Sequence, residues 1–177
     1  MSLLPIEKIN TASPKVFVEA VNTLFEVAPP LAQKLLSARP FESYSQLIDY
    51  AESLCLGSTF SEQEKLDIIN AHPRIGENKT NLSAMSLKEQ GYSPQSTLSA
   101  EDQQVNDTLA KLNKAYEDKY GFKFVVFVAG RPRSQIIPVV QERIAANDRS
   151  KELETGLTDM MLIARDRLKK STNENKL

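Results

Sequence analysis

Apolar positions fall three and four residues apart along most of the chain, the spacing of one face of an α-helix. Ser13-Pro14 sets a capping residue before a proline, and behind it Val16, Phe17, Ala20, Val21, Leu24 and Phe25 share a face. Pro29-Pro30 ends that helix, and Leu31, Leu35 and Leu36 continue in a short second one. Ser43 opens a third, with Tyr44, Leu47, Ile48, Ala51 and Leu54 inward. Ser61-Glu-Gln-Glu64 is a capping box ahead of Leu66, Ile68 and Ile69. Residues 77–99 are polar and rich in Ser, Asn and Gly, and predict an irregular stretch with short helical pieces. Residues 101–120 resume the helical period with Val105, Leu109, Leu112 and Tyr116. Residues 134–147 carry Ile136, Ile137, Val140 and Ile144; residues 151–170 carry Leu157, Met160, Met161, Ala164 and Leu168. The pattern predicts an all-α, single-domain compact multi-helix bundle over residues 1–170, followed by a polar, frayed tail at 171–177.

One stretch breaks the period. FKFVVFVAG, residues 122–130, is aromatic and β-branched, and on pattern alone reads as a core strand or helix. A single strand cannot satisfy its own backbone hydrogen bonds. It either pairs with a partner the pattern does not reveal or is an extended apolar segment buried among helices. In the second case its N–H and C=O groups can face a ligand.

Composition removes several function classes. A chain of 177 residues with 41% hydrophobic and 25% charged residues is an ordinary globular protein. Its 22 basic and 23 acidic residues give a net charge of -1, without the basic footprint of a nucleic-acid or anionic-membrane binder. Cys55 is the sole cysteine, which excludes an internal disulfide and fits a reducing compartment. No apolar run is long enough to span a bilayer, and MSLLPIEKIN has an acid and a proline too early for a signal peptide. The expected location is cytoplasmic; the terminal Asn-Lys-Leu is a poor relative of the Ser-Lys-Leu peroxisomal signal.

The candidate chemistry begins with His72, the only histidine. Pro73 disfavours helical geometry for the residue before it, so the helix behind His72 should end at Asn70 or Ala71. His72 then sits at a helix exit, where a side chain contributes little packing, with Gly76 allowing a turn beyond. A histidine on a stiffened loop suits proton transfer near neutral pH. The plainer reading is a histidine that interacts with the helix dipole or is merely exposed. One histidine and one cysteine cannot supply an ordinary zinc set. Ser86-Leu-Lys-Glu89-Gln90 has capping-box spacing, yet a helix N-terminus with serine, glutamate and glutamine can also bind a polar heterocycle. A carboxylate near His72 would orient the imidazole. Arg131, Arg133, Arg165 and Arg167 are candidates for a forked grip on a substrate carboxylate. No nucleotide-binding, Cys-x-x-Cys or Gly-x-Ser-x-Gly motif occurs.

In order, HPRIG, SLKEQ, FKFVVFVAGRPRSQII and ETGLTDMMLIARDRL resemble 2-oxo-4-hydroxy-4-carboxy-5-ureidoimidazoline decarboxylases, which complete the route from urate to (S)-allantoin. The likeness runs over residues 17–168, and LLPIEKIN is similar to the family's usual start, where an asparagine precedes the first helix. The resemblance implies an all-α homodimer without a cofactor, acting on a small ureidoimidazoline. It makes His72 the catalytic acid and Glu89 its catalytic companion. Pro73, Ser86, Leu87, Lys88 and Gln90 would bind substrate, as would the apolar segment Phe124, Val125, Val126, Phe127 and Val128. Arg167 is the expected arginine of the last helix, with Arg165 close by. Arg74 and Ile75 depart from the family's residues after the proline, a variation expected to leave the chemistry intact. Decarboxylation would leave an electron pair that the ring delocalises, with His72 delivering a proton to one face. Two other readings are a same-fold enzyme for another ureido or hydantoin compound, and a non-catalytic helical binding module.

Overall fold

The computed structural model describes residues 3–76, Leu87, Glu89, Gln90 and residues 99–174, the last two for their backbone only. These residues form eight α-helices and no β-strand. They are α1 (Ile6–Thr11), α2 (Pro14–Phe25), α3 (Pro29–Ser37), α4 (Tyr44–Leu56), α5 (Glu62–Asn70), α6 (Ala100–Tyr120), α7 (Arg133–Ala145) and α8 (Arg149–Glu174). The all-α expectation holds. Most of residues 77–99 lie outside the described residues, and with them Ser86 and Lys88.

The helix starts follow from capping chemistry. The hydroxyls of Ser13, Ser43 and Ser61 accept the N–H groups of Val16, Gln46 and Glu64. Glu64 closes the capping box by accepting the Ser61 N–H at 3.1 Å. Ser99 caps α6 in the same way, through the N–H of Asp102. α1 was not legible in the sequence: it has six residues and no side-chain cap. A helix so short depends on tertiary contacts. Asn10 supplies one, exchanging two 2.8 Å hydrogen bonds with the backbone of Phe41. Asn10 therefore lies inside the first helix, not before it. At the other end, α8 runs on to Glu174 past a buried Ser171, where the polar sequence had suggested a frayed tail.

The chain packs as two compact units, residues 1–72 with 157–177, and residues 73–156. In the first, α3 packs on α2, α4 and α5. Phe17, Leu24, Leu31, Leu35, Leu47 and Ile48 are fully buried there, each contributing about 1.5–3 kcal/mol by leaving water. Val16, at the edge of the predicted face of α2, is exposed instead. Cys55 is buried, and burial pushes its thiol up to about 12, against a smaller lowering by Lys65. It is protonated at neutral pH and is no nucleophile.

In the second unit α6 packs on α7. Tyr116 meets Phe122 and Phe124 edge-on, with ring centroids 5.8 and 5.3 Å apart. Gly121, left-handed at φ 83°, stops α6, and residues 123–128 follow as extended chain that is neither strand nor helix. The simpler pattern reading of this stretch is thus overturned, and the extended-segment alternative holds. Arginines take the place of a strand partner. Arg143 Nη1 donates to Val125 O, while Arg131 donates through Nη2 to Phe127 O and through Nε to Val128 O, each at 2.8 Å. Buried carbonyls must find donors, and here side chains provide them. No helix among the described residues is long and apolar enough to cross a membrane.

Candidate active site

In the first unit, α5 ends at Asn70 with Ala71 as its C-cap, as Pro73 requires. The His72 N–H still bonds back to Ile69 O at 3.3 Å. The side chain is not at the surface: His72 is 3% exposed, which excludes a merely exposed histidine and a residue of little packing value. Facing its Nδ1 at 3.6 Å is Oε2 of Glu26, an ion-pair separation and too long for a hydrogen bond. Oε1 of the same carboxylate lies 3.7 Å from Nη2 of Arg167.

Arg167 is 2% exposed and donates through Nη1 to Thr23 O at 3.2 Å and Leu24 O at 3.4 Å. These are last-turn carbonyls of α2, which need donors from outside their helix. Arg165 points its charge elsewhere, to Asp49 at 2.9 Å and Glu52 at 2.8 Å. Of these two arginines, Arg167 is the one that shares a carboxylate neighbour, Glu26, with His72.

Glu26 was missed. It is the C-cap of α2 and left-handed, with φ 51° and its N–H on Asn22 O. An L-residue in that conformation costs about 1 kcal/mol or more. An acid at a helix C-terminus opposes the dipole at about 0.3–1 kcal/mol. A glutamate directly before Val-Ala-Pro-Pro, where glycine or asparagine would end a helix, was the available signal.

In the second unit the carboxamide of Gln90 clamps the turn that follows Pro73. Its Oε1 accepts the Gly76 N–H at 2.8 Å and its Nε2 donates to Arg74 O at 3.2 Å. One N–H and one lone pair of that amide remain for a ligand. Asn113 Nδ2 holds Ile75 O at 2.9 Å, and Arg74 Nη2 bonds Glu117 Oε2 at 3.1 Å. Gly76 is left-handed at φ +75°, and a Cβ there would meet Leu109 Cβ at 3.2 Å. Gly76→Ala should therefore cost on the order of 2 kcal/mol, from left-handed strain plus crowding, read as a lower melting temperature.

Arg133 is buried and donates to Gln90 O at 2.6 Å and Asn106 Oδ1 at 3.0 Å. It fixes Gln90, while Arg131 is spent on the backbone of the apolar segment. Neither is arranged as the forked carboxylate grip the sequence allowed. Glu89 and Leu87 are half-buried. Phe124, Val125 and Val128 are buried, and Val126 and Phe127 partly so. The described residues contain no group of three His, Cys, Asp or Glu side chains placed for a metal ion. A cavity of about 670 Å³ in the first unit, lined by Leu4, Tyr44 and Leu168 among others, touches Arg165 but none of the other candidate site residues.

Residues 10–169 match the family model described as OHCU decarboxylase. A 2-oxo-4-hydroxy-4-carboxy-5-ureidoimidazoline decarboxylase of Halalkalicoccus jeotgali is 31% identical over 172 residues, covering 97% of this chain and 94% of that one. The protein of the same name from Xenopus laevis is 25% identical, covering 93% of each chain. Among solved structures, an OHCU decarboxylase crystallised in the presence of (S)-allantoin superposes with a TM-score of 0.64 at 21% identity, over 90% of this chain and 97% of that one. That last likeness is one of fold. With residues 10–169 matched by the family model and a relative 31% identical along nearly the whole length of both chains, the chain belongs to the OHCU decarboxylase family.

Proposed function

We propose that this protein decarboxylates 2-oxo-4-hydroxy-4-carboxy-5-ureidoimidazoline to (S)-allantoin in urate breakdown, as its family membership implies. The observation that carries the reading is the match over residues 10–169, which includes every residue expected at the site. The chemistry needs few groups. The carboxylate leaves as carbon dioxide, its bonding pair passes through the conjugated ring to a ring nitrogen that takes up one proton, the hydroxyl-bearing carbon becomes a carbonyl as its own proton departs, and a second proton is added to the neighbouring ring carbon on one face. His72 delivers that proton, and Glu89 accepts the hydroxyl proton or polarises the imidazole. Arg167, beside His72, offsets the negative charge of the substrate.

Ser86, Leu87, Lys88 and Gln90, with Pro73 and the segment Phe124 to Val128, hold the ureido group and ring. Support for the segment comes from its backbone. Its carbonyls are held by Arg131 and Arg143, and among the described residues the N–H groups of Phe124, Val125 and Val126 make no hydrogen bond. Extended chain fixed on one side can present donors on the other. The protein acts as a homodimer in this reading.

The assay follows circular dichroism of (S)-allantoin formed from freshly prepared substrate, whose spontaneous decay yields racemate. A signal no larger than the uncatalysed one would refute the proposal, and a monomer in sedimentation at micromolar concentration would refute the dimer.

A further inference from the structure

We infer that Glu26 is a positioning residue for His72 and Arg167, an inference that rests on the decarboxylase reading just given. The first observation is geometric. The two oxygens of one carboxylate divide between Nδ1 of His72, 3.6 Å away, and Nη2 of Arg167, 3.7 Å away. All three side chains are largely withdrawn from water, at 4%, 2% and 13% exposure for histidine, arginine and glutamate. Charge interactions are screened least in such a place.

The second observation is independent of the first. Glu26 occupies a backbone position that disfavours it twice, as a left-handed L-residue and as an acid at the carbonyl end of α2. Glycine would suit the turn better. Residues that break local rules where a compensating partner is at hand tend to serve a site, and here the compensating partners are the imidazole and the guanidinium.

The consequence for chemistry follows from which ring nitrogen is engaged. A carboxylate beside Nδ1 favours a proton there and favours the imidazolium over the neutral ring. Nε2 is then the nitrogen directed to proton delivery, in one orientation. Oε1 meanwhile keeps Arg167 beside the histidine, where Thr23 O and Leu24 O fix the rest of its guanidinium. Glu26 touches no substrate in this scheme; it acts through its two neighbours.

The test uses the full-length protein and exploits its single histidine, whose two ring nitrogens can be read without overlap in a long-range proton–nitrogen NMR spectrum. In Glu26→Gln the proton population at Nδ1 should fall and the imidazole should titrate at lower pH. Turnover at saturating substrate should fall about tenfold or more, the scale of losing a group that orients a catalytic partner. Glu26→Asp should recover part of that loss. Glu26→Gly is the control for a merely structural role, because glycine fits the left-handed turn. If Glu26 only terminated a helix, Glu26→Gly would keep wild-type turnover and the inference would be overturned. Unchanged histidine signals in folded Glu26→Gln would overturn it as well. Should wild type itself form no (S)-allantoin, the decarboxylase reading falls, and the histidine signals still decide whether Glu26 sets the imidazole.

Discussion

His72→Asn should lose at least a hundredfold in (S)-allantoin formation, since removing a general acid typically costs about 10²–10⁴-fold. The loss should appear in kcat, because the proton is needed after the substrate is bound. Stability will not be untouched. The imidazole is 3% exposed and faces Glu26, so the variant should also lose about 1–3 kcal/mol. Turnover must accordingly be read well below the melting temperature, with helical circular dichroism confirming the fold. Glu89→Gln separates the roles further. If Glu89 only caps a helix, turnover survives; if it works with His72 in the reaction, turnover falls while melting barely moves. Near-wild-type stereoselective turnover in His72→Asn would remove the histidine from the mechanism.

Glu152→Ala should be the most damaging change to stability in the second unit. One oxygen, Glu152 Oε2, accepts both Tyr116 OH and Arg143 Nε at 2.8 Å, and the side chains of Arg143 and Glu152 are 11% and 6% exposed. Removing one partner from a buried pair costs about 3–5 kcal/mol, because the other charge stays buried. For a chain of this size that is a fall in melting temperature on the order of 10 °C. The effect should also reach substrate binding. Arg143 lies over the Phe124 ring at 4.6 Å and holds Val125 O, so its displacement loosens the apolar segment. KM should rise more than kcat falls. A variant with wild-type melting would show that the pair contributes nothing net.

Much of this molecule is local chemistry. Ser13, Ser43 and Ser61 cap α2, α4 and α5 because a hydroxyl one residue before a helix meets N–H groups with no helical partner. Pro73 ends α5 and sets His72 at its exit through a clash confined to two residues. The ordered motifs, read along the chain, carried the family and with it the expected site. Tertiary structure decided what depends on residues far apart. It buried His72, which the helix exit alone suggested would be open. It gave Arg165 and Arg167, two positions apart on one helix, different partners, because α4 offers Asp49 and Glu52 to one and the end of α2 offers Glu26 to the other. It settled the apolar stretch as extended chain, since its carbonyl donors come from arginines that no periodicity could assign. Glu26 belongs to the same class. Its sequence neighbourhood says only that a helix ends there, and its partners lie 46 and 141 positions on (72 − 26 and 167 − 26), brought to it by packing, not by spacing.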